Sequence, residues 1–161
     1  MVPVGRLAPA APHQRENAPS LIFRRRAIAA NQGTPMPLVR IDISSDSPES
    51  LGHAIGDLVY QAMRDTINVP EDDKFQIVTR HDVRELVRPA SYLGIAYSPG
   101  LVMLQVTLNH GRSVELKKAF YRRVADDLHG QLGIRREDVF INLVEVAKEN
   151  WSFGNGEMQY A

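Results

Sequence analysis

The stretch "GTPMPLVRIDI" (33–43) carries the reading of this chain. Leu38, Val39, Arg40, Ile41, Asp42 and Ile43 alternate as a half-buried strand does, with period two. Met36-Pro37 stands directly before the strand and looks like the start of a protein, 36 residues into the chain. Downstream, "SSDSPES" (44–50) predicts a helix start, with Ser47 as N-cap and Pro48 at the first helical position. Leu51, Ala54, Ile55, Leu58, Val59 and Ala62 follow at helical spacing on one face. "NVPEDD" (68–73) ends this helix, and "KFQIVTR" (74–80) reads as a second strand.

The second half repeats that order. "LVMLQVTLN" (101–109) is a nearly continuous apolar run, suited to the middle of a sheet. "HGRS" (110–113) turns the chain, with Ser113 as N-cap of a helix marked by Leu116, Ala119, Phe120, Val124 and Leu128. "GIRRED" (133–138) ends it, and "VFINLVEV" (139–146) is the last core strand. The repeat shows in the letters themselves: "VPEDDKFQIV" (69–78) and "IRREDVFINL" (134–143) both set acids, then a Phe, at the helix-to-strand junction. Two βαβ units in tandem predict an α+β fold, a four-stranded sheet with both helices on one face. The other face would be bare, and apolar strands facing it predict an oligomer that covers it. Ser98-Pro99-Gly100 reads as a turn entering the third strand. The tail "NWSFGNGEMQYA" (150–161), aromatics among glycines, reads as a turn or short hairpin reaching to a neighbour.

Upstream of Met36 the sequence changes character. Residues 1–35 are rich in Ala, Pro and Arg, without a sustained period, and are a poor candidate for packed structure. They hold five arginines against one acid, which leaves the remainder with 14 basic and 18 acidic residues, a balance of −4. A mildly acidic domain argues against a general nucleic-acid footprint. Three readings of the segment stand: a start-site error with Met36 as the true initiator, a targeting leader, or a retained arm. The first is preferred, making residues 1–36 an extension and 37–161 the domain. No apolar run reaches the roughly 18 residues of a membrane span. The chain has no cysteine, which excludes disulfides and thiolate chemistry and fits a reducing, cytoplasmic setting.

Among motifs that carry chemistry, most are dismissed quickly. The five histidines (13, 53, 81, 110, 129) show no metal-binding spacing. "AYSPG" (96–100) has Ala96 where a nucleophile elbow needs glycine, and "FGNGEMQ" (153–159) lacks the third glycine of a dinucleotide fingerprint. Pro37 remains. As an amino terminus it would be a secondary amine, whose pKa burial and nearby positive charge can lower. Such a group can take a proton from carbon beside a carbonyl, or give one, most effectively with its pKa near ambient pH. With residues 1–35 attached, its nitrogen is an amide that can do neither. The plain alternative is a proline tolerated at the first residue of a strand.

The combination of "MPLVRIDI" (36–43), "VPEDDKFQIV", "GRSVELKKAFY" (111–121) and "ENWSFGNGEMQYA" (149–161) resembles the tautomerase superfamily, in particular its malonate semialdehyde decarboxylase-like branch. The resemblance covers residues 37–161. It implies a tandem βαβ fold, a homotrimer, no metal or organic cofactor, and a small oxo-carboxylate as substrate. It makes Pro37 the acid–base amine and Arg112 the carboxylate-binding arginine. A guanidinium at a helix start suits an anion on independent grounds. Asp73 matches an acid that positions substrate or water, although Asp138 holds the same place in the second repeat. Trp151 and Phe153 match the pocket-wall aromatics, and Tyr160 falls where relatives carry an aromatic. Some relatives have a second arginine two residues before the first; His110 stands there, which predicts a weaker, pH-dependent clamp. Keto–enol tautomerisation is the expected activity, with decarboxylation or hydration as variants on the same residues. A non-catalytic oligomeric binding protein is the expectation if the extension is retained.

Overall fold

The computed structural model describes residues 36–160. The expectations for residues 1–35 lie outside the described residues. In chain order the elements are β1 (Leu38–Ser44), α1 (Leu51–Ile67), β2 (Phe75–His81), the two-residue strands β3 (Ser91–Tyr92) and β4 (Ile95–Ala96), β5 (Val102–Asn109), α2 (Val114–Leu132) and β6 (Val139–Val146). The main sheet has the order β2-β1-β5-β6. β1 pairs with β2 and β5 with β6 in parallel, and the two halves join through antiparallel β1 and β5. The tandem βαβ expectation is met, with the apolar run 101–109 in the interior of the sheet.

One sheet face packs on both helices. Val39, Ile41 and Ile43 from β1 and Val102, Leu104, Val106 and Leu108 from β5 are buried there. They meet Ile55, Val59, Ala62 and Met63 of α1 and Phe120, Val124 and Leu128 of α2 in one core. Full burial of such aliphatic side chains stabilises by about 1.5–3 kcal/mol each relative to exposure. Leu116 and Ala119, expected in the α2 stripe, are exposed instead.

The first helix begins later than expected. Its N-cap is Ser50, without a side-chain capping bond, and Ser47 and Pro48 lie in the preceding turn. The cause is Arg80, whose guanidinium donates to the carbonyls of Ser45 (2.6 Å), Ser47 (2.6 Å) and Pro48 (3.0 Å). The other helix boundaries follow the sequence. Ser113 caps α2 by accepting from the Leu116 N–H (3.3 Å). Asn68 and Gly133 close the two helices in the left-handed conformation.

The open face differs from its expectation. Phe75, Ile77 and Phe140 are exposed on its outer strands, but Arg40 and Gln105 are exposed on the central ones. The face mixes polar and apolar side chains: Leu38 and Met103 lie beside Arg40 and Gln105, and Thr79, His81 and Asn142 beside Phe75, Ile77 and Phe140. Among the described residues no helix is long and apolar enough to cross a membrane.

Candidate active site

At one end of the sheet β1 and β2 begin and β5 and β6 finish. Leu38 is level with Phe75 on one side and Thr107 on the other, and Asn109 is level with Val146. Continuing these ladders brings Pro37 in line with Lys74 and Leu108, and Met36 in line with Asp73 and Asn109. The topology therefore gathers the residue before β1, the acid before β2, and the loops after β5 and β6.

Pro37 is buried. Asp73 is 5% exposed, and among the described residues neither of its carboxylate oxygens has a hydrogen-bond partner. Burial without compensation disfavours the charged form, and its pKa is pushed up to about 6. The second repeat supplies the comparison. Asp138 is also buried, but it accepts from the Ser98 N–H (2.7 Å) and the Ser98 hydroxyl (2.6 Å), with Arg135 at 3.6 Å. Asp138 thereby fixes the turn that leads into β5. Equivalent positions in the two repeats have opposite environments: Asp138 is satisfied by the chain itself, and Asp73 is left open. An unsatisfied buried carboxylate costs roughly 1–3 kcal/mol or more.

Arg112 sits in the loop between β5 and α2. One guanidinium nitrogen donates to the Asn109 carbonyl (2.6 Å), while its Nε is buried and has no hydrogen-bond partner among the described residues. Burial pushes its pKa down, and Glu145 opposes that. Glu145 on β6 anchors the loop: its carboxylate accepts from Lys117 (2.5 Å) and from the backbone N–H groups of Gly111 and Arg112, and these hold its pKa down. Arg112, His110, Gly111 and Asn109 line a cavity of about 300 Å³, closed by Ile67, Asn68, Leu116 and Lys148. Sequence reasoning missed Lys148. It lies two residues beyond the last strand, in a turn that no spacing tied to Arg112. Only the parallel pairing of β5 with β6 brings it there.

The tail forms the expected turn, and it packs on its own chain. Trp151 stacks on Phe153 (centroids 5.6 Å, 18°), and Tyr160 meets Phe153 edge-on (5.2 Å, 84°). Gln159 ties the turn by donating to the Gly154 carbonyl and accepting from the Phe153 N–H, both at 2.9 Å. Trp151 Nε1 donates to the side-chain oxygen of buried Asn109 (2.8 Å). The Tyr160 phenol, beside Asp73, has the Asn109 side chain and the Met36 backbone as hydrogen-bond neighbours; burial and the Asp73 charge raise its pKa.

The expected site residues thus form two adjoining groups. Pro37, Asp73 and the three rings gather around the head of β1. Arg112 and His110 line the cavity, whose walls include none of the former. Asn109 belongs to both groups and was not singled out from sequence. A larger cavity of about 600 Å³ lies between α2 and β6, but it holds no expected site residue. Its Arg136 is closed on Asp126 at 2.9 Å.

Known proteins agree with this architecture. The family model described as "Tautomerase enzyme" matches residues 73–154. A probable tautomerase of Bacillus subtilis (strain 168), YusQ, is 40% identical over 124 residues, covering 77% of this chain and 98% of that protein. The crystal structure of FG41 malonate semialdehyde decarboxylase inhibited by 3-bromopropiolate is 36% identical with a TM-score of 0.71, covering 76% of this chain and 93% of that one. A second malonate semialdehyde decarboxylase, solved to account for its decarboxylase and hydratase activities, is 32% identical with a TM-score of 0.70, covering 76% and 95%.

Proposed function

Because the chain belongs to the tautomerase superfamily, on its malonate semialdehyde decarboxylase-like branch, we propose that it transfers a proton between oxygen and carbon of a small oxo-carboxylate, with Pro37 as the acid–base amine. The reading holds for a mature chain that begins at Pro37, with residues 1–36 removed or never made. Its main support is the open acid: among the described residues the carboxylate of buried Asp73 has no hydrogen-bond partner, and burial beside the head of β1 pushes its pKa up to about 6.

Arg112 holds the substrate carboxylate, with His110 at the cavity rim. The Pro37 amine takes the enol hydroxyl proton and delivers it to the neighbouring carbon, leaving the ketone; no atom is gained or lost. Asp73, its pKa pushed up to about 6 by burial, orients the substrate oxygen. Trp151, Phe153 and Tyr160 exclude water, which keeps the amine pKa low and strengthens each charge interaction. No metal or organic cofactor enters this scheme. The same groups also suit decarboxylation, and the likeness to two malonate semialdehyde decarboxylases favours this as the second reading. There a cationic Pro37 polarises the carbonyl, the carbon–carbon bonding pair moves toward it, and carbon dioxide leaves. Asp73 would serve a hydratase variant by directing water. The assembly that goes with this reading is a homotrimer, which would cover Phe75, Ile77 and Phe140 of the open face.

The test compares the full chain with a chain beginning at Pro37, using ultraviolet loss of an enol-carboxylate and release of carbon dioxide from an oxo-acid. Turnover only in the shortened chain supports the proposal. Equal turnover in both removes Pro37 from the mechanism. Absence of turnover in both, with an oxo-acid still bound, favours a binding protein.

A further inference from the structure

Asn109 ends β5 and has no part in the chemistry proposed above. It is 5% exposed and lines the cavity beside Arg112. Among the described residues, the buried side-chain atoms without a hydrogen-bond partner belong to three residues: both oxygens of Asp73, the Nε of Arg112 and the Nδ2 of Asn109. The acid and the guanidinium already have roles. The amide nitrogen is a donor, and its direction is fixed. An indole N–H can only donate, so the amide turns its oxygen to Trp151 Nε1, at 2.8 Å, and its NH2 away from that ring. The Tyr160 phenol neighbours the amide without satisfying Nδ2. The backbone carbonyl of the same residue seats the Arg112 guanidinium at 2.6 Å.

The strand registers give the amide its neighbours. Two residues before Leu38, the pairings of β1 set Met36 between Asp73 on one side and Asn109 on the other. Met36 is the residue bonded to the Pro37 nitrogen. In a chain beginning at Pro37 its place, against the amine and between acid and amide, passes to the substrate. We infer that the Asn109 Nδ2 is the donor that binds the oxo oxygen of the substrate. This inference rests on the oxo-carboxylate reading above and adds to it a group for the oxygen. As the enol hydroxyl gives its proton to the amine, negative charge gathers on that oxygen until the carbon is protonated. A buried, preoriented N–H stabilises that charge most effectively at that moment. Because the Asn109 carbonyl also seats Arg112, one residue sets the spacing between the oxo oxygen and the carboxylate.

Binding tests this without requiring turnover, on the chain beginning at Pro37, which keeps every residue of the core. Calorimetry compares 2-oxobutyrate with butyrate, and 4-oxopentanoate with pentanoate, at about pH 8, where an introduced aspartate is ionised. Each pair shares its carboxylate and chain length and differs in the oxo oxygen. At least one oxo-acid is expected to bind about tenfold more tightly than its saturated counterpart. Asn109→Asp keeps an oxygen for Trp151, and Asn109→Leu introduces no charge; neither can donate, and each should bring the ratio of affinities to about one. Arg112→Gln should weaken both members of a pair. Trp151 is the only tryptophan of the chain, so its emission in Asn109→Asp reports whether the ring has moved. A lost ratio with unchanged emission supports the donor. A lost ratio with shifted emission makes Asn109 a structural tie and overturns it. A ratio that survives either substitution overturns it, as does a ratio of about one in the unsubstituted chain, and both leave the carboxylate clamp standing. Failure of all four acids to bind overturns the oxo-carboxylate reading together with the donor.

Discussion

Asp73 carries the sharpest pH prediction at the scale of a single residue. Its carboxyl pKa is raised from 3.8 to about 6. Between those values the folded protein keeps a proton that the unfolded chain releases, so stability falls as pH rises through that window. Asp73→Asn should therefore stabilise the protein above the folded pKa and leave stability unchanged below about pH 4. The gain is on the order of 1–2 kcal/mol, since the group lies at the end of the sheet and not in its middle. Urea denaturation at both pH values measures it; equal stability changes at both would contradict an open buried acid. If Asp73 serves the reaction, the same variant should lose roughly 10²-fold or more in kcat/KM, measured on a chain beginning at Pro37. The sequence made Asp73 visible as an acid at a junction, but Asp138 at the same junction was equally visible. What separates them is the partner set, which comes from Ser98 forty positions away from Asp138 in the chain. Lys148 was hidden for a similar reason: its relation to Arg112 exists only through strand pairing.

At the scale of elements, the strands and the second helix were legible because their periods are strong. The start of α1 was not, since Ser47-Pro48 satisfies every local rule for a helix start and loses to a distant guanidinium. The hairpin of β3 and β4 was also missed; two-residue strands leave no period to read, and Leu93 adopts a positive φ (49°) that favours glycine or asparagine. The glycines of α1 are a further case. A Cβ on Gly52 would run into Val78 of β2, and one on Gly56 into the Gln76 side chain. Helical propensity favours alanine over glycine by about 1 kcal/mol. At Gly52 the stiff branched neighbour should reverse that, giving a net loss of about 1–2 kcal/mol for Gly52→Ala. At Gly56 the neighbour is the end of a flexible side chain, which donates to the Gly56 carbonyl at 2.7 Å. Gly56→Ala should cost less than Gly52→Ala. Paired thermal melts decide the order, and the reverse order would refute the close approach of α1 to β2.

At the scale of the whole molecule, the proposed homotrimer would draw on the open face, where Phe75, Ile77 and Phe140 are exposed beside Arg40 and Gln105. Across β1 and the edge strand β2, Asp42 and His81 pair at 2.7 Å. Phe140, 43% exposed on an edge strand, is the residue to change. If the proposed homotrimer forms through this face, Phe140→Glu should lower the mass seen by light scattering toward that of a single chain, with the far-ultraviolet circular dichroism unchanged. An unaltered mass would move the interface elsewhere. Two similar halves also imply two comparable strand heads, and the chain uses them differently. The head of β5 is stitched into the interior of the polypeptide, and Asp138 clasps it through Ser98. The head of β1 leaves its acid unclasped. Seen as a duplicated module, the molecule engages one junction acid with its own backbone and, among the described residues, leaves the equivalent acid open.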